Sequence, residues 1–235
     1  MQLKSTGKPQ VLESAGFGQG GTDPDLALLL DGRIVVTWSE TLSTPTDEFD
    51  DTDGGIFARI LNPDGTSSDI FQVNTFTPFP QSGPQVVALS SGGFGIGWTQ
   101  TATFGDHPSD VDTFVTFYDD QGAPVPGFLL DVNVDTPPQT SDQRLVEMVD
   151  LIGNRFALAV EGEPVRIFSS NGSLISLLSE PGDGPVSDIV ELSNGNIVTA
   201  GVVDAQSPET GSHVEVIIRN PNLGAPGNIA GVHSV

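Results

Sequence analysis

Apolar residues along this chain come in short alternating runs, and the runs themselves recur. Ile34, Val36 and Trp38 fall on one face of an extended segment, with Val35 and Thr37 on the other. Phe94, Ile96 and Trp98 repeat the large face against Gly95 and Gly97, and Phe156, Leu158 and Val160 repeat it against Ala157 and Ala159. A fourth run, Ile197 to Val202, is apolar on both faces. A period of two predicts β-strands. A sheet with one wet face alternates apolar with polar residues, but here the second face is small and apolar, so both faces are predicted to be covered. Sheets stacked around an axis meet that requirement, whereas a two-sheet sandwich leaves its outer faces polar.

Glycine turns frame each run. The first turns are Asp31-Gly32, Ser91-Gly92-Gly93, Gly153-Asn154 and Asn194-Gly195, each joining two apolar segments as a hairpin does. The second turns are Asn62 to Gly65, Asp119 to Gly122, Ser169 to Gly172 and Asn220 to Gly224, and all end in glycine. Between them lie strands predicted over Ile56 to Leu61, Phe114 to Tyr118, Val165 to Phe168 and Val214 to Arg219. Edge strands follow at Phe71 to Asn74, Leu130 to Asn133, Leu174 to Leu178 and Ile229 to Val232. No stretch carries a capped helical stripe.

The period predicts one all-β domain over residues 1–235, with repeats at about 22–74, 82–133, 141–178 and 186–232. The simplest architecture is a small β-propeller of about four antiparallel blades, with five blades or half of a dimeric eight-bladed ring as alternatives. Pro9 to Leu12 resembles Phe71 to Asn74 and can supply an outer strand to the fourth copy; Ile229 to Val232 competes for that place. A monomer or a ring-sharing dimer is the corresponding expectation.

Charge narrows the partners. Thirty-one acids face eight Lys and Arg residues, for a net charge of −23. Such a surface repels nucleic acid and anionic lipid. No apolar run is long enough to cross a bilayer, and no cleavable signal is visible behind Lys4 and Lys8. There is no cysteine, so neither disulfides nor thiolate metal sites contribute.

Gly32 to Trp38, Gly55 to Arg59, Asp64-Gly65 and Phe71 to Asn74 together resemble one repeat unit of large secreted, adhesin-like and repeat-in-toxin-like calcium-binding bacterial proteins. The second copy keeps Gly93 to Trp98 and Val132-Asn133, while the third and fourth keep the strand and turn skeleton. The resemblance implies an extracellular, repeat-built β module; the leading expectation is a binding or adhesion module without catalysis, stabilised by calcium, with a glycan or cell-surface ligand. A lectin-like carbohydrate-binding propeller is the alternative, and a hydrolase with a central acidic site the second.

Candidate chemistry concentrates in two loops. Asp47, Asp50, Asp51 and Asp53, with Glu48 among them, precede Gly54-Gly55, and a hard cation such as calcium takes about six oxygens from loops of this kind. Asp106, Asp110 and Asp112 form a second acidic group, in a loop predicted from Thr99 to Asp112. The competing reading of both is a solvated acidic loop. Trp38 and Trp98 end matched strands and fit core packing better than sugar stacking. His107, His213 and His233 share no metal-ligand spacing, and no Gly-x-Ser-x-Gly elbow is present. Glycosidase chemistry needs two carboxylates across a cleft, and the spacing of the acids singles out no pair.

Overall fold

The computed structural model describes residues 21–40, 54–77, 79–104, 107–131, 144–160, 164–178, 186–203, 213–219 and 229–234. They form sixteen strands in chain order. The first four are β1 (Thr22–Leu28), β2 (Ile34–Glu40), β3 (Gly55–Leu61) and β4 (Phe71–Gln72). Next come β5 (Gln81–Ala88), β6 (Phe94–Phe104), β7 (His107–Tyr118) and β8 (Pro124–Asp131). A third group holds β9 (Leu145–Leu151), β10 (Arg155–Val160), β11 (Arg166–Ser169) and β12 (Leu174–Leu177). The last is β13 (Val186–Glu191), β14 (Ile197–Val203), β15 (His213–Arg219) and β16 (Ile229–Ser234). Each group is one antiparallel four-stranded sheet whose spatial order follows the chain. Four sheets match the four repeats.

The turns close as their residues require. Gly32 N–H donates to Leu29 O at 3.0 Å, Gly92 to Leu89 at 3.0 Å and Gly195 to Leu192 at 2.8 Å. The positive φ that these turns need falls on Gly32, Gly92 and Gly195, and on Asn154 in the third sheet, a residue that tolerates it.

The core lies between sheets rather than inside any one of them. Val35, Ile56, Phe94, Ile96 and Trp98 join the first sheet to the second. Phe117, Met148, Phe156 and Leu158 join the second to the third. Ala157, Ala159, Ile167, Ile189 and Ile197 join the third to the fourth. The small second face has a direct cause. A Cβ on Gly95 would stand 2.8 Å from the Phe117 ring, and one on Gly97 would stand 2.6 Å from the Met148 sulfur. Glycine there lets the third sheet's first strand sit against the second sheet. Phe57, Phe94 and Phe156 are fully buried, and each contributes roughly 2–3 kcal/mol of transfer free energy.

Polar contacts fasten neighbouring sheets. The Asp25 carboxylate (Oδ2) accepts from Val86 N–H at 2.8 Å, tying β1 to β5. Gln85 Nε2 donates to Val146 O at 2.5 Å, tying β5 to β9. Asp150 accepts from Ser90 N–H at 3.0 Å. Glu191 accepts from Ile152 N–H at 2.5 Å and pairs with Arg155 at 3.3 Å.

Two details differ from the sequence expectation, and the outer place of the fourth sheet is taken by one of its two candidates. The segment Thr99 to Asp112 is mostly a long hairpin, because Thr99 pairs with Thr113 and Thr101 with Val111, continuing the β6–β7 ladder. The second sheet's edge strand begins at Pro124, directly after its turn, rather than at Leu130. β16 pairs with β15, so the C-terminal strand fills the outer place of the fourth sheet, while Pro9 to Leu12 lies outside the described residues. The array is also open: sheets pack in the order one, two, three, four, and no comparable packing joins the fourth to the first among the described residues. Leu26 and Leu28 are 65% and 60% exposed on the free face of the first sheet.

Candidate functional site

The first strands of the four sheets lie side by side, β1 against β5, β5 against β9 and β9 against β13. They form the inner wall of the array. Each carries a polar side chain four residues before a leucine: Asp25 precedes Leu29, Gln85 precedes Leu89, Glu147 precedes Leu151 and Asp188 precedes Leu192. The ladder places these residues at one level, opposite Thr37, Gly97, Ala159 and Ala200. In every sheet the pairing is irregular just before this residue. A bulge re-aims a side chain out of the plain alternation, and the same device occurs four times at the same depth.

Charge links the acids of this level. Glu147 is half-buried, and its pKa is raised above the ordinary carboxylate value by burial first, then by Asp188, then by Asp25. Asp188 stands on the neighbouring sheet, but Asp25 belongs to the first sheet, which is not a neighbour of the third. The repulsion between Asp25 and Glu147 therefore acts across the middle of the array. Two carboxylates of this level thus act on the third, while Gln85 donates to the Val146 carbonyl.

Asp23 lies on the same strand, two residues before Asp25. Its φ is +52°, a left-handed conformation rare outside glycine, and Pro24 follows it. Its carboxylate accepts from Thr22 Oγ1 at 3.2 Å and from Ser39 Oγ at 3.1 Å. The matching residue of the second sheet is Gly83, with φ +61°, also followed by proline. An aspartate kept where the sister sheet uses glycine carries a conformational cost of about 1 kcal/mol or more. Such strain persists where the side chain has work to do.

The acids singled out in the sequence do not form this site. Asp47, Asp50, Asp51, Asp53 and Asp106 lie outside the described residues. Asp110 and Asp112 stand on β7, opposite Ala102 and Gln100, and are strand residues rather than loop residues. Among the described residues no group of three or more His, Asp or Glu side chains is placed to hold a metal ion. Trp38 and Trp98 are buried, the first stacked on Phe57 and the second on Phe114. Trp38 Nε1 also donates to Glu40 at 3.0 Å. The axial residues escaped the sequence reading, although a signal was present: an acid or amide four residues before the leucine of every first turn.

No family model matches the chain, and no curated protein matches it. Solved structures do. A protein of unknown function from Dyadobacter fermentans superposes with a TM-score of 0.56 and 11% identity, over 93% of this chain and 69% of that one. An α-L-arabinanase from Penicillium chrysogenum, complexed with arabinobiose, gives 0.55 and 11%, over 92% of this chain and 66% of that one. The NanB sialidase of Streptococcus pneumoniae gives 0.51 and 12%, over 96% of this chain and 54% of that one. The chain thus spans between about half and about two thirds of the length of these structures. Their enzymes overturn the expectation of an adhesion module without catalysis, since that expectation rested on the repeat alone and this fold is shared with carbohydrate-active enzymes. At such identities the likeness establishes the fold: an all-β, propeller-like array of four-stranded antiparallel sheets.

Proposed function

We propose that the chain is a glycoside hydrolase whose site is the axial group of Asp25, Glu147 and Asp188, with Asp23 beside Asp25 on β1. The observation that carries this reading is the common ladder level of Asp25, Glu147 and Asp188 on three first strands, where burial and the other two carboxylates raise the pKa of Glu147. Glycoside cleavage needs one carboxyl group kept protonated to donate to the leaving oxygen and a second kept ionised to assist at the anomeric carbon. Glu147 is the donor. Asp25, on the first sheet and accepting from the Val86 amide, is the second carboxylate. Asp188 keeps the Glu147 proton in place by repulsion. Asp23, fixed by two hydroxyl donors, accepts from sugar hydroxyls.

The arabinobiose held by one solved structure of this fold supports a carbohydrate ligand. A net charge of −23 disfavours polyanionic chains, so neutral polysaccharides are the favoured class. The test is release of reducing ends from a panel containing arabinan and sialylated glycans, with Glu147→Gln as control. Release from a neutral polymer that the variant loses is the expected result. No release from any polymer, or release that Glu147→Gln leaves intact, overturns the assignment.

A further inference from the structure

Resting on the hydrolase reading, we propose that Gln85 is a positioning residue, whose side-chain amide holds the β9 bulge that aims Glu147. The register places the parts. Glu147 pairs with Ala159 and Leu145 with Val160, so Val146 between them is the extra residue of the bulge. The backbone of such a residue drops out of the ladder and needs another anchor. Gln85 supplies it, donating from Nε2 to Val146 O at 2.5 Å. That carbonyl belongs to the peptide group leading into Glu147. The second sheet thus grips the third at the residue before its acid.

Cross-strand partners share a face of the sheet. Gln85 pairs with Gly97, where a Cβ would meet Met148 and Leu145, so Gln85 faces the third sheet. Glu147 pairs with Ala159, which packs with Ile189 and Ile197, so Glu147 faces the fourth sheet, where Asp188 stands. Gln85 therefore acts on Glu147 through the backbone. The same stretch of β5 serves the other acid, since Val86 N–H, one residue on, donates to Asp25. Stability alone does not account for the amide. Gln85 Oε1 is buried and accepts from no donor among the described residues. An unsatisfied acceptor costs about as much as the Nε2 bond gains, and an apolar group of the same shape is nearly neutral in such a place. What the amide adds is a fixed direction.

Gln85→Met, which keeps the length and removes the donor, tests this. Gln85→Asn, whose amide falls one methylene short of Val146, is the second variant. Both should melt within about 2–4 °C of the parent. On arabinan both should keep KM and lose about 10² in kcat, the scale of a displacement of about 1 Å. Carboxyl-carbon NMR, with Glu147→Gln to identify the signal, reads the same residue without turnover. Glu147, raised by burial, Asp188 and Asp25, should titrate lower in both variants once the bulge is released. A parent-like kcat, an unmoved Glu147 titration, or a loss of activity that only follows a large fall in Tm overturns the role of Gln85 and leaves the hydrolase assignment standing. A shifted titration in a chain that cleaves no polymer overturns the hydrolase assignment and keeps Gln85 as the anchor of the bulge. Neither cleavage nor a shift overturns the two together.

Discussion

Glu147 shows how one residue ties function to stability. Its pKa is raised in the folded chain by burial and by Asp188 and Asp25, so the native state binds its proton more tightly than the unfolded chain does. Stability then falls as pH rises above the unfolded value near 4.5 and is spared below it. A residue kept for packing loses stability when replaced; a repelled carboxylate gains it. Glu147→Gln is therefore expected to raise Tm at pH 7, with the gain vanishing below about pH 4.5, while activity drops by about 10²–10⁴. Asp188→Asn should lower the pH at which the alkaline limb of the rate profile turns down, since Glu147, the proton donor, then loses its proton at lower pH. Thermal melts across pH and a rate profile check both. A Glu147→Gln protein that melts lower at pH 7 denies the repulsion. The acids of this axis were legible as residues but not as a group. They lie 122 and 41 positions apart in the chain, and only the sheet ladder brings them to one level. The acid-dense loop before Gly54 drew attention because its acids are close in sequence, and closeness in sequence is not convergence in space.

At the scale of strands and turns, legibility was high where a local rule governs. Turn glycines, the alternating strands and the buried tryptophans follow from backbone sterics and period-two burial. The β6–β7 extension did not follow, because whether Thr99 to Val111 pairs or loops depends on its cross-strand partner rather than on its own polarity. Nor did the inter-sheet clasps. Asp150 and Glu191 occupy equivalent places, each accepting an N–H from the preceding sheet's first turn. Glu191 adds the Arg155 pair, whereas Asp150 is raised in pKa by burial. Replacing Glu191 with alanine is expected to cost about 2 kcal/mol, the scale of a charge-assisted hydrogen bond, and Asp150→Ala less. Urea unfolding measures both, and an Asp150→Ala cost equal to or above that of Glu191→Ala contradicts the ranking. The first and second sheets lack this clasp because Ala88 stands in its place. They are joined instead by Asp25 to Val86 N–H, and by Arg33 to the Asp120 carbonyl.

On the scale of the whole array, the repeat legibly determined four sheets but not how they close. Each internal boundary buries the large face of one sheet on the small face of the one before it, as Met148 and Leu145 sit over Gly97. By that rule the first sheet presents a large face and the fourth a small one, both unmatched among the described residues. Leu26, Leu28 and Leu30 stay exposed on the first strand, and Val190, Val202 and Val214 on the fourth sheet. Apolar rows of this kind bind hydrophobic probes and promote association. Leu26 and Leu28 are mostly in contact with water, so changing them removes little buried area, and the transfer term at stake is small. Leu26→Thr combined with Leu28→Thr keeps β-propensity while wetting the row. This double variant is expected to keep the parent's melting temperature and to bind less of a fluorescent apolar dye. A large fall in Tm would mean instead that the row is covered and contributes to the core, in which case the first sheet has a packing partner and the array is closed.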